Sequence, residues 1–181
     1  MQKHKTVFLY LLKQLFMASG ILVRIPLKPF LVSYLETRYG PSPISFSGKG
    51  KDNDRIMAKL EKLLRQLPDR PVFADENKPG ITVNITALDN FDPRKYNYLS
   101  PTACKIVEKY IYEHVFLMNF YDWMDQIYEK KDEIQLLIQE FCEMHNLKEN
   151  DISFETLKKR FYRYRASRLA EIRKKSCAEK S

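Results

Sequence analysis

The stretch "SPTACKIVEKYIYEHVFLMNFYDWMDQIY", residues 100–128, decides how the chain is read. Ser100 followed by Pro101 is a strong helix start, because serine caps the first orphan amides and proline suits the first turn. From Thr102 to about Tyr128 apolar residues recur every three or four positions. Ile106, Tyr110, Leu117, Tyr121 and Met124 form one stripe, Val107, Ile111, Val115 and Met118 widen it, and Phe116, Phe120 and Trp123 extend it the other way. A helix this broadly apolar is buried centrally, or is covered by a homo-oligomer contact along 102–128. His114 within that arc reads as a hydrogen-bonded core histidine rather than a base.

Downstream the helical period continues. Ile134, Leu137, Ile138, Phe141 and Met144 predict a helix over 132–145, and Ser153 is a good cap for another beginning at Phe154. Upstream the period changes to two. "ITVNITAL", residues 81–88, and "ILVRIPL", residues 21–27, alternate as half-buried strands do. Arg24 is the outward cation of the first, which reads as an edge strand of an α+β core rather than a DNA-reading ribbon. "KPFLVSYLETRYG" between them predicts a short helix, with Pro29 in its first turn and Gly40 at its stop. A further helix is expected over about 54–67, capped by Asp52 or Asn53, with Ile56, Met57, Leu60, Leu63, Leu64 and Leu67 on one face. Residues 68–80 read as loop, and 89–99 as a link. The expected fold is therefore mostly helical α+β. Residues 1–20 are an N-terminal extension, 21–99 a small strand-containing part, and 100–181 a helical part with a helix-turn-helix-like end.

Composition supports a real core and a basic partner surface. Of 181 residues 44% are hydrophobic, and the formal charge is +8. Residues 148–181 hold 11 basic and 5 acidic side chains, so most of the excess sits at one end. Nucleic acid, an anionic surface or an acidic protein would complement it. Cys104, Cys142 and Cys177 are too few and too scattered for a disulfide framework, which suits a reducing, cytoplasmic setting. "MQKHKTVFLYLLKQLFMASG" has the outline of a leader, but Lys13 and Gln14 interrupt its apolar run. Translation starting at Met17 would instead place the first strand directly at the N-terminus.

Catalytic chemistry is poorly represented. Cys142 and His145 are three apart on a helix, a pair without the second pair a metal site needs. Asp122, Asp125, Asp132 and Glu133 spread over more than one face, and no phosphate loop, dinucleotide fingerprint or nucleophile elbow is present. The expectation is a protein that is not an enzyme and uses no metal or cofactor.

"ETLKKRFYRYRASRLAEIRKK", residues 155–175, carries the functional reading, with nine Lys or Arg and three interleaved aromatics. Phe154, Leu157, Phe161, Tyr164 and Ile172 share one face of a helix. Lys159, Arg163 and Ala170 lie opposite, flanked by Arg160, Tyr162, Arg173 and Lys174. One apolar side for packing and one basic side for phosphates and base edges is what a recognition helix needs. Lys158, Lys159, Arg160, Tyr162, Arg163, Arg165, Arg173 and Lys174 are the candidate contacts to nucleic acid, double-stranded DNA first and RNA as the alternative. Arg168 interrupts the apolar stripe, so the helix is expected to bend or change partners near Ala166. The rival reading is an assembly component whose basic helix docks an acidic partner.

Two stretches, "IPLKPFLVSYLETRYG" at 25–40 and "HNLKENDISFETLKKRFYRYR" at 145–165, resemble parts of small proteins from phages and other mobile elements of Bacteroidetes. The resemblance covers about a fifth of the chain. It implies an element-associated DNA-binding role, favours Met17 as the start, and supplies no catalytic residues.

Overall fold

The computed structural model describes residues 20–46, 51–75, 77–86, 92–128 and 134–178, with all side chains among these except those of 51, 52, 54, 127, 128, 173 and 175–178. The leader-like segment, Met17, Asp132 and Glu133 lie outside the described residues. In chain order the elements are β1 (Ile21–Pro26), α1 (Pro29–Tyr39), α2 (Lys51–Leu63), β2 (Arg65–Gln66), β3 (Gly80–Ile85), β4 (Tyr96–Tyr98), α3 (Pro101–Tyr110), a π-helical segment (Ile111–Phe116), α4 (Leu117–Tyr128), α5 (Ile134–Met144) and α6 (Phe154–Ala178). The protein is mixed α+β and mostly helical, with its strands towards the N-terminus. Its two compact units interleave in sequence. One holds the described residues through Lys28 together with Tyr39–Ile111, and the other holds Pro29–Arg38 and the described residues from Tyr112 onward.

In the first unit, β1 and β3 pair antiparallel from Ile21 opposite Ile85 to Pro26 opposite Gly80. Alternation puts Val23, Ile25, Ile81, Val83 and Ile85 on one face, and all are buried. Ile44 extends the sheet, its amide donating to the Thr82 carbonyl (2.8 Å) and its carbonyl accepting from the Asn84 amide (2.8 Å). Ile56, Leu60 and Leu64 of the α2 region and Ala103, Cys104 and Val107 of α3 complete this core. Tyr98 Oη clamps the loop before β3, donating to the Val72 carbonyl at 2.7 Å and accepting from its amide at 3.3 Å.

The helix expected over about 54–67 starts and stops earlier. It begins at Lys51, so Asp52 and Asn53 fall in its first turn rather than at its cap. It ends at Leu63 because Arg65 and Gln66 pair with Tyr98 and Tyr96, which makes part of the expected 89–99 link a strand. Leu67 is accordingly 56% exposed instead of sharing the buried face.

The second unit is knitted by aromatic edges. Tyr34 of α1 meets Phe116 at 5.1 Å, Phe116 meets Phe141 of α5 at 6.0 Å, Phe141 meets Phe120 of α4 at 5.1 Å, and Phe120 meets Phe161 of α6 at 6.4 Å. Such edge-to-face pairs contribute about 0.5–1.5 kcal/mol each beyond their burial. α5 closes in a Schellman arrangement: Asn146 takes φ 51°, the Leu147 amide donates to the Cys142 carbonyl (2.8 Å) and the Asn146 amide to that of Glu143 (3.2 Å).

The stripe expected along 102–128 is displaced. A π turn takes in one residue more than an α turn, so Ile111–Phe116 rotates the faces on either side of it. The buried line is Val107, Ile111, Val115, Phe116, Leu117, Phe120 and Met124, with Leu117 and Met124 buried as expected, whereas Ile106 and Met118 are exposed and Tyr110 and Tyr121 half-buried. His114, expected in the core, is exposed for the same reason.

Candidate nucleic-acid interface

Residues 145–153 connect α5 to α6 in place of the three- or four-residue turn of a compact helix-turn-helix. Leu147 and Ile152 are buried within this connector, so it is a packed element. Ser153 caps α6 as expected, its Oγ accepting from the Thr156 amide at 3.2 Å, and the Glu149 carboxylate accepts from the Phe154 amide at 2.9 Å. A carboxylate already stands at the positive end of the helix, which stabilises it there.

The inner face of α6 is held at two levels. Leu157 and Phe161 are fully buried. One and two turns further on, Tyr164 stacks on Tyr121 of α4, with centroids 4.2 Å apart and planes 6° from parallel. Its hydroxyl donates to Asp125 Oδ2 at 2.8 Å and accepts from Arg168 at 2.9 Å, while Arg168 also pairs directly with Asp125. Burial first, then the hydrogen bond to Asp125, raises the Tyr164 pKa above that of an ordinary phenol, keeping it a donor. The Arg168 interruption is thus resolved by Asp125, and α6 runs unbroken through Ala166. An arginine within an apolar stripe, with aspartates on a preceding helix, is the sequence signal for such an anchor.

This anchoring sorts the eight candidate residues. Lys159, Tyr162, Arg163 and Lys174 are exposed on the outward side, and among the described residues no carboxylate pairs with Lys159, Arg163 or Lys174. Lys159 to Lys174 spans roughly 22 Å along the axis. Lys158, Arg160 and Arg165 lie on the flanks. Lys158 reaches Glu155 at 3.7 Å, the Arg160 guanidinium sits 5.8 Å from the Tyr112 ring centroid, and that of Arg165 5.8 Å from Phe161. The Arg173 side chain is outside the described residues. Of the three aromatics threaded through the basic run, Phe161 is core and Tyr164 an anchor, leaving Tyr162, 47% exposed, on the outside.

Other chemistry-bearing groups are placed differently. His145 is wedged between Tyr34 (4.8 Å) and Phe141 (4.6 Å). The Cys142 thiol is pushed up to about 11, by burial foremost, so it stays protonated. Among the described residues no three His, Cys, Asp or Glu side chains gather as a metal-binding group. A cleft of about 210 Å³ in the first unit is lined by Leu22, Phe73, Tyr98 and Cys104, and burial raises the Cys104 pKa as well. Among the described residues no helix is long and apolar enough to cross a membrane. Comparison of the chain with protein-family models, curated proteins and solved structures finds no match.

Proposed function

We propose that this protein is a non-catalytic, cytoplasmic nucleic-acid-binding protein that lays the outward face of α6 against double-stranded DNA. The observation that carries the reading is the division of α6. Phe161, Tyr164 and Arg168 are held inward, and this turns Lys159, Tyr162, Arg163 and Lys174 towards solvent along several turns. Lysines and arginines so arranged neutralise phosphates and release condensed counterions, so binding would fall steeply with salt. Arg163 can fork onto a guanine edge, while Lys159 and Tyr162 serve phosphate contacts. The resemblance of residues 25–40 and 145–165 to mobile-element proteins supports a role as a regulator or accessory factor of such an element.

The test is fluorescence anisotropy of the full chain with mixed-sequence duplex, single-stranded DNA and RNA at two salt concentrations. Salt-sensitive binding that prefers duplex, abolished in the Lys159→Glu, Arg163→Glu double variant with its fold intact, is expected. Retained binding in that variant would overturn the assignment. Preference for unpaired RNA would redirect it to a stacking mode in which Tyr162 is the platform.

A further inference from the structure

Two arginines of α6 meet the same row of tyrosines, and only one of them is answered by a carboxylate. Arg168 pairs with Asp125 beside the stacked rings of Tyr164 and Tyr121. Arg160 stands about two turns earlier, within about 80° of Arg168 round the helix. Its guanidinium sits 5.8 Å from the Tyr112 ring centroid. Among the described residues no carboxylate pairs with it. α4 and α6 run side by side in the same direction, since Phe120 meets Phe161 and Asp125 meets Arg168. The corresponding step back from Asp125 along α4 reaches Leu117, which is apolar and buried. The helix that satisfies one arginine therefore has no anion in register for the other.

The rings around Arg160 are held in place. Tyr112, in the π-helical segment, stacks on Phe116 with centroids 5.9 Å apart and planes 17° from parallel, and meets Phe30 edge-on at 6.0 Å. Tyr121 is fixed by its stack on Tyr164. Helical side chains lean towards the N-terminus, which carries the Tyr121 hydroxyl back along α4 towards the level of Arg160. Burial foremost raises its pKa above that of an ordinary phenol, and the Arg160 charge acts in the opposite sense, so the two groups lie within electrostatic reach. The hydroxyl thus stays protonated. It has no hydrogen-bond partner among the described residues and is open to solvent rather than enclosed. A fixed cation beside a fixed O–H donor, neither with an acceptor, complements an anionic oxygen.

We propose that Arg160 and Tyr121 together clamp a phosphate oxygen of the DNA backbone, with the Tyr112 ring bracing the guanidinium. This rests on the DNA-binding reading and extends it from α6 alone onto α4. The phosphate takes the place beside Arg160 that Asp125 takes beside Arg168. Round the helix Arg160 falls within about 60° of Arg163 and Lys174, so the clamp is continuous with the outward basic face.

The test is a salt series on a labelled mixed-sequence duplex with the full chain, its Arg160→Gln and Tyr121→Phe variants and the double variant. A labelled polyglutamate peptide is titrated in parallel, and a thermal melt is recorded for each protein. Arg160→Gln is expected to weaken duplex binding about fivefold at the lower salt and to reduce the slope of log affinity against log salt by about 1, because one phosphate is no longer neutralised. Tyr121→Phe keeps the ring stack and should weaken binding about threefold with the slope unchanged, since a neutral donor releases no counterion. The double variant should lose less than the product of the two single losses, as two donors to one acceptor do. If the parent binds duplex and Arg160→Gln keeps its slope, the clamp is overturned while the outward-face reading stands. A lowered melting temperature in that case would assign Arg160 to bracing Tyr112 alone. If the parent binds no duplex, both fall together. Polyglutamate bound in preference to duplex, and lost in Arg160→Gln, would make the anion a protein carboxylate and equally overturn the clamp.

Discussion

Arg168 and Asp125, forty-three residues apart in sequence, pair across α6 and α4 with the Tyr164 hydroxyl bridging them. The pair is half exposed, at 57% and 32% of side-chain surface, so solvent and salt screen it. Its value is orientational, fixing which face of α6 looks outward. Asp125→Asn and Arg168→Gln should each lower the melting temperature by no more than about 3 °C. The double variant should be little worse than either single, because both remove one interaction. Fully additive losses in a thermal melt would show that the pair is not coupled.

The outward cations should register in the salt dependence of binding. Lys159→Ala is expected to weaken duplex binding about equally for all sequences and to reduce the slope of log affinity against log salt by about 1. Arg163→Ala should do the same and also relax any base preference. Titrations of one duplex across a salt series check both, and an unchanged slope in Lys159→Ala would place that residue outside the contact.

Gly80 is required by close approach between strands. It sits opposite Pro26 at the end of the β1–β3 ladder, and a Cβ there would come within 2.5 Å of the Ile25 carbonyl oxygen and 2.9 Å of Pro26 Cα. Both are backbone atoms, so the strands themselves would have to part. Gly80→Ala should destabilise the protein by about 1–3 kcal/mol, the range for overpacking a well-filled site, as read by urea unfolding.

His145 ties stability to pH. Burial first, then the nearby charge of Arg38, lowers its pKa below the ordinary value of 6.5, and its enclosed Nδ1 has no hydrogen-bond partner among the described residues. The unfolded chain therefore takes up this proton before the folded one does. The resulting stability is fully present above about pH 7 and is lost as pH falls below 6.5 towards the lower folded value. Urea midpoints between pH 7.5 and 5.5 should decline in the parent and decline less in His145→Gln. Parallel slopes would assign the decline to other groups.

Much of this architecture was written in local pattern. Alternation at Ile21–Pro26 and Gly80–Ile85, Pro29 and Gly40 bounding α1, and the Ser100–Pro101 and Ser153 helix starts depend on nearest neighbours and backbone geometry, which composition reports directly. The basic run of α6 and its apolar inner stripe were equally legible, since a period of 3.6 residues needs no partner to be seen. What lay beyond the sequence was angular and long-range. One π turn at Ile111–Phe116 rotates the faces of the central helix, exposing Ile106 and His114, and a uniform period cannot register it. Pairing of Arg65–Gln66 with Tyr96–Tyr98 cut α2 short, against its own helical pattern. That Tyr164 faces in and Tyr162 out followed from the helical period, but their being met by Phe120, Tyr121 and Asp125 did not, because partners about forty residues away in sequence come together only in the tertiary structure.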